Sequence, residues 1–214
     1  MSKRPGNINI AKLPWLTCAI GAVVLLIQFV LPEGAIALQM DRHSVLQGAI
    51  WQMITGHLTH WNNEHLWADL AVFAGIGSLI EQKSRLSLAM LFLVSAVAIA
   101  LTVFLARPDI QTYRGLSGID MALAAFWAIH ALFQARNTSN HLEIGIWALA
   151  LIGILSKPVI EIILGHPIFV QDLGSGVVGM PVPHIVGAII GIAWYLISNH
   201  RPQPRHIDDQ HTPY

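Results

Sequence analysis

Apolar residues along this chain come in long blocks, not in the two-residue alternation of a half-buried strand. Six blocks stand out, at about 13–31, 65–81, 84–106, 117–135, 143–164 and 182–198. Runs of roughly 18 apolar residues read as helices that cross a bilayer, and the second block sits at the short limit. The pattern predicts an all-α, polytopic membrane protein with six transmembrane helices. Polar breaks after the second and fourth blocks are short, "EQKSR" and "QARNTSNH". The break after the first, 32–64, is long. Within it "HSVLQGAIWQMI" repeats apolar residues at helical spacing, which predicts a helix lying in the membrane interface with Trp51 as its anchor. Residues 1–200 then form a single membrane domain, and the polar, Pro-containing tail 201–214 is expected to be disordered.

Composition sharpens the same picture. The chain is 54% hydrophobic and only 11% charged, whereas a soluble domain carries about 25% charged residues. A net charge of zero offers no basic stripe for a nucleic-acid partner. Cys18 is the single cysteine, so no intrachain disulfide can form. The basic N-terminus and the "AIA" at 35–37 imitate a signal peptide, but the run 13–31 exceeds the usual h-region length, which predicts an uncleaved anchor. With the N-terminus inside, Lys3, Arg4, Lys12, Lys83, Arg85, Arg136, Arg201 and Arg205 fall on the cytoplasmic side. Only Arg42, Arg107 and Arg114 fall outside, with Lys157 in a span, so the charge bias predicts cytoplasmic termini.

That orientation places two reactive residues together. "YRGLSGIDMALAAF" sets Ser117 at the mouth of the fourth block, and "PVPHIVGAIIGIAWY" sets His184 at the mouth of the sixth. Both helices would run from outside inward, so the hydroxyl and the imidazole lie at similar depth. A serine needs a neighbouring base to become a nucleophile, and histidine has the right intrinsic basicity. The Ser117 N–H, at a helix N-terminus, is placed to donate to an oxyanion. Gly187 and Gly191 are four apart, while Gly118, Ala122 and Ala125 recur at helical spacing; two such small-residue stripes let membrane helices approach closely.

A third constellation is "WQMITGHLTHWNNEHLWADL", with His57, His60, His65 and Asp69. Ionisable groups at a membrane helix end are expensive unless they line a wet cavity or perform work. His65 and Asp69 are one turn apart on one face and could polarise a carbonyl or hold water. Asp120, one turn below Ser117, is a further candidate: it could share a proton with Asp69, hold a water, or tie two helices together. Lys157 and Glu161 are expected to pair with each other at i, i+4, with Pro158 loosening the helix between them.

Taken together, Trp51, Thr55, His60 and His65 of "WQMITGHLTHWNNEH", then "GLSG", then "HIVGAIIG", resemble the rhomboid intramembrane serine proteases. "HWNNEHLWADL" and "YRGLSGID" are similar to the rhombosortase branch, associated with proteins carrying a C-terminal Gly-Gly sorting segment. The resemblance implies a rhomboid-like bundle with a long, partly helical first outer loop. It implies Ser117 as nucleophile, His184 as base and acid, and an oxyanion hole of the Ser117 N–H and His65. Gly115 would leave space beside the serine, His60 would bridge the first loop to the second helix, and Glu81 would hold helix ends together. Gly118, Gly187 and Gly191 would support the dyad. No metal or cofactor is implied. The partners would be the lipid bilayer and membrane-anchored substrates with a C-terminal anchor helix, in a bacterial cytoplasmic membrane.

Two positions depart from the family pattern. Asp69 stands where most rhomboids have an oxyanion-hole asparagine, and an ionised carboxylate donates no hydrogen bond. It is protonated by burial, displaced from the hole, or bonded to His65 as its orienter. Gln52 stands where many rhomboids have arginine, which bears on how the first loop is anchored. Two rival readings remain at this level. A metal enzyme would use His57, His60, His65 and Asp69, although no HExxH helix is present. A transporter would show internal symmetry or paired broken helices, and none is evident.

Overall fold

A computed structural model describes residues 13–168 and 179–199; the tail 201–214 and the basic residues Lys3, Arg4 and Lys12 lie outside them. The six apolar blocks are helices α1 (Trp15–Phe29), α5 (Asn63–Lys83), α6 (Arg85–Ala106), α7 (Ser117–Asn137), α8 (His141–Leu164) and α9 (Pro181–Asn199). Their ends follow local chemistry. Asn62, Ser84 and Asn140 accept the N–H of residues three positions on, capping α5, α6 and α8, and Gly165 ends α8 in the left-handed conformation. By length and composition α6, α7, α8 and α9 can each cross a membrane. The protein is a multi-pass, all-α membrane protein.

α7 is the centre of the bundle and α8 its edge: 61% of the most apolar stretch of α7 is buried, against 11% for α8. The outer face of α8 carries Leu149, Ile152 and Ile163, all exposed, as a helix facing lipid requires. α7 and α9 meet without side chains between them. A Cβ on Gly187 would overlap the Gly118 carbonyl oxygen, and one on Gly191 would overlap that of Ala122. Gly187 and Gly191 are four apart, as are Gly118 and Ala122, so the contacts advance in step. The two helices therefore run parallel, with their N-termini side by side.

The long first loop is not one interfacial helix. It breaks into α2 (Pro32–Leu38), α3 (Arg42–Leu46), α4 (Gln52–Thr55) and a 3-10 turn (Gly56–Leu58). Gly48, at φ 103°, takes a backbone conformation that ends the helical path after α3. Trp51 is exposed on this loop, in keeping with an interfacial anchor. A two-residue ladder, β1 (Met40–Asp41) with β2 (Thr112–Tyr113), fastens the loop to the segment that leads into α7. Gln52 works inward: its amide accepts from the Asp41 N–H at 3.1 Å and donates to the Ala37 carbonyl at 3.0 Å. Arg42 donates to the Phe104, Arg107 and Ile110 carbonyls, satisfying groups left open at the end of α6. At the other end of the bundle, Glu81 accepts from the Leu16 and Thr17 N–H groups at 2.9 and 2.8 Å and from Arg85 at 2.8 Å, tying the start of α1 to α5 and α6.

Candidate active site

Ser117 is the first residue of α7 and His184 the fourth of α9. Because those helices are parallel and in contact, the two residues meet: Ser117 Oγ lies 3.2 Å from His184 Nε2. At that distance the hydroxyl donates to a bare imidazole nitrogen, the arrangement from which a base can take the serine proton.

The other ring nitrogen is also held. α8 runs back against α7 after a short turn, so its last turns return to the level of Ser117. There Glu161 Oε2 lies 2.8 Å from His184 Nδ1, and the Glu161 carboxylate is buried. Lys157 Nζ donates to Glu161 Oε1 at 2.7 Å and lies 3.1 Å from His184 Nδ1. The Lys157–Glu161 pair is thus present, but Glu161 reaches His184 as well. The i, i+4 spacing made the pair legible; the second contact depends on helix rotation, which spacing alone does not give.

Behind the serine, Gly115 takes φ 119°, a conformation that suits glycine. A Cβ there would lie 2.6 Å from His65 Cε1 and 2.7 Å from His65 Nε2, so the absence of a side chain lets the imidazole close over the backbone. Asp69 is the hub of this cluster. Its Oδ2 accepts from the Leu116 N–H at 2.9 Å and faces His60 Nε2 and His65 Nε2, each at 3.2 Å. Such a carboxylate oxygen receives hydrogen bonds and does not offer one. His60 thereby connects the first loop to α5. The Nδ1 atoms of His60 and His65 are buried and have no hydrogen-bond partner among the described residues.

Asp120 is buried one turn along α7, and neither of its carboxyl oxygens has a partner among the described residues. The structure therefore contains no Asp69–Asp120 hydrogen bond and no side-chain tie from Asp120 to a neighbouring helix.

His57, a candidate ligand in the metal reading, is fully buried, with Nδ1 3.2 Å from the Gly115 carbonyl and Nε2 3.0 Å from that of Ala96. It pins the segment entering α7 to α6, and its burial pushes the imidazole down to about 4 despite the two carbonyls. The folded state then resists a proton that the unfolded chain accepts below the ordinary histidine value near 6.5. Stability contributed by the neutral ring is therefore present above that value and falls as pH drops toward about 4. Thermal unfolding in detergent is expected to show a loss of about 2 kcal/mol between pH 7 and pH 5, and His57→Gln should flatten that slope.

His57 also bears on the metal reading. Both of its nitrogens face backbone carbonyls, so it does not join His60, His65 and Asp69. Among the described residues no group of three His, Cys, Asp or Glu side chains has the geometry to hold a metal ion.

Comparison with known proteins decides the family. A model of the rhomboid domain matches residues 47–201. The chain belongs to the rhomboid family. It is also similar to the rhomboid protease GlpG of Haemophilus influenzae, at 28% identity over 158 residues covering 70% of each chain. The matched region takes in every element that builds the cluster: α4, α5, the Gly115 turn, α7, α8 and α9. As a rhomboid serine peptidase, the protein has in Ser117 and His184 a hydroxyl and an imidazole at the N-termini of two touching helices. Within this rhomboid, Asp69 occupies its hydrogen bonds with His60, His65 and Leu116, and Glu161 supplies the histidine with a carboxylate.

Proposed function

We propose that this rhomboid cuts membrane-anchored proteins near the outer face of a bacterial cytoplasmic membrane, with Ser117 as nucleophile and His184 as general base and acid. The single observation that carries this reading is the 3.2 Å approach of Ser117 Oγ to His184 Nε2. In this reading α1 and α5 complete six spans, both termini are cytoplasmic, and the Ser117 end of α7 opens outward. The Lys and Arg bias of the loops supports that orientation.

His184 takes the serine proton as Oγ attacks a peptide carbonyl, giving a tetrahedral oxyanion. The Ser117 N–H, at the start of α7, donates to that oxygen, since no intrahelical acceptor claims it. His65 is the second donor. Its Nε2–H is held by Asp69, so a donor role toward the oxyanion falls to Nδ1, which has no partner among the described residues, and requires a ring with a proton on both nitrogens. Asp69 orients His65, so a carboxylate can stand beside the hole without donating to it. His184 then gives its proton to the leaving amine, and water activated by the same ring frees the acyl-enzyme. His60 and Gly115 hold this framework, and Gly118, Gly187 and Gly191 keep the two helices in contact. In this reading Asp120, whose carboxyl oxygens have no partner among the described residues, holds a water near the dyad.

The likeness of "HWNNEHLWADL" and "YRGLSGID" to rhombosortases supports C-terminal Gly-Gly anchors as the substrate class. Co-expression with candidate anchored proteins, followed by mass spectrometry of their trimmed ends, tests it. New C-termini at the Gly-Gly segment support the assignment, while cleavage only of unrelated membrane segments removes that branch and leaves the peptidase. His65→Ala is expected to slow turnover by about 10²- to 10³-fold, the usual effect of losing one oxyanion donor; unchanged turnover removes His65 from the hole.

A further inference from the structure

The Ser117–His184 pair continues into α8. His184 Nδ1 stands 2.8 Å from Glu161 Oε2 and 3.1 Å from Lys157 Nζ, and both contacts cannot be hydrogen bonds at once. If Lys157 donated to a bare Nδ1, that lone pair would face a carboxylate oxygen at 2.8 Å with no proton between them. A separation that short requires an N–H, so Nδ1 carries the proton and Glu161 accepts it. Nε2 is then bare and faces the Ser117 hydroxyl. Lys157 donates to the other carboxylate oxygen at 2.7 Å, and the Ile168 N–H approaches that same oxygen at 3.2 Å. Glu161 is held from several sides, and it sits near the end of a helix whose exposed face is otherwise apolar.

We propose that Glu161 is a positioning residue for His184, making the serine and histidine the reactive part of a Ser117–His184–Glu161 relay, with Lys157 as its counterweight. This rests on the peptidase reading of Ser117 and His184. Glu161 fixes the tautomer that leaves Nε2 bare, and its negative charge stabilises the imidazolium formed when the Ser117 proton arrives on Nε2. The Nδ1 proton stays on the ring throughout, and none passes to Glu161. Lys157 acts in the opposite sense: its ammonium neutralises part of the carboxylate and stands close to the ring nitrogen, so it disfavours a second positive charge there.

Among the described residues, the titratable groups nearest His184 on the elements packed around it are Lys157 and Glu161 on α8, His166 just beyond it, and Asp120 on α7; His130 and Arg136 of α7 and His141 and Glu143 of α8 lie toward the opposite ends of those helices. α6 presents none along its C-terminal half. Changing Glu161 or Lys157 leaves Asp120 and His166 in place.

The test is the rate at which a fluorophosphonate modifies Ser117, measured from pH 5 to pH 9 in detergent on the full chain. In that reaction Oγ bonds to phosphorus, fluoride leaves and the proton goes to His184, so no protein substrate is needed. Glu161→Gln is expected to lower the rate at pH 7 by about 10²- to 10⁴-fold, as loss of the orienting carboxylate does in serine proteases. Because the imidazolium loses its anion, the acid limb should move to lower pH by about one unit. Lys157→Met should keep the rate within about tenfold and move the acid limb to higher pH, since a repelling cation has gone. A merely structural ion pair would lower both rates by unfolding and move neither limb. If Glu161→Gln labels at the wild-type rate with an unshifted limb, the inference is overturned and the dyad stands. If Glu161→Gln does not fold, the Lys157→Met limb decides: a shift supports the relay, and an unshifted limb overturns it. If wild-type Ser117 is not labelled at all, the peptidase reading itself fails.

Discussion

Replacing Ser117 with alanine is expected to lower cleavage of a membrane-anchored substrate by at least about 10⁴-fold, and His184→Ala by a similar amount, as in other serine proteases whose nucleophile or base is removed. The two losses should not add in the double variant, because each residue is idle without the other. The Ser117 side chain does not hold the bundle together, whereas that of His184 also joins α9 to α8 through Glu161. Ser117 makes its side-chain bond to His184, and α7 packs on α9 through Gly187 and Gly191, whose contacts are with backbone. Ser117→Ala should therefore elute and melt in detergent like the parent chain, and His184→Ala, which also gives up the Glu161 contact, should elute alike and melt lower. A transporter would lose nothing from Ser117→Ala, and a metal-dependent enzyme would be more sensitive at His60, His65 and Asp69 than at Ser117.

Gly187→Ala is expected to be nearly as damaging, although the residue performs no chemistry. Its new methyl group would occupy the position of the Gly118 carbonyl oxygen, and a backbone atom inside a central helix cannot turn aside. The helices must separate or shear. Overpacking of this kind typically costs about 1–3 kcal/mol, and this contact lies at the severe end because it is with main chain. Activity should suffer more than stability. Ser117 and His184 ride on these two helices, and a displacement of about 1 Å between reacting groups can cost about 10²-fold in rate. Gly191→Ala should behave similarly, since its Cβ would overlap the Ala122 carbonyl. Gly153→Ala on α8, where nothing lies within 4 Å, is the control and should be neutral. Thermal unfolding and cleavage rates of the three variants, measured together, check the ordering.

Much of this arrangement is visible in the chain before folding. Block length reports the helices, because a bilayer sets a minimum apolar span. Facing small-residue stripes gave a reason for α7 and α9 to touch, and their spacing carried the register. What sequence could not convey was rotation about a helix axis in the apolar environment. α8 is hydrophobic around most of its circumference, so no amphipathic pattern announces which side meets the bundle. For that reason Lys157 and Glu161 read as a self-contained pair, while the folded chain turns Glu161 toward His184. The structural role of His57 is hidden for another reason: its partners are the Gly115 and Ala96 carbonyls, and backbone acceptors leave no trace in residue identity. The stretch 43–54 of the first loop reads as one helix because its apolar spacing persists through Gly48, whereas the backbone turns there. Residue identity leaves three interpretations open for Asp69, because it does not show that the Leu116 N–H and two imidazoles converge on one of its oxygens.

The most direct measurement is the site of covalent modification when the detergent-solubilised protein is treated with a fluorophosphonate and digested for mass spectrometry. One adduct on the peptide bearing Ser117, absent after His184→Ala, is the predicted result. An adduct on another residue, or one on Ser117 that forms equally well without the His184 imidazole, would contradict it.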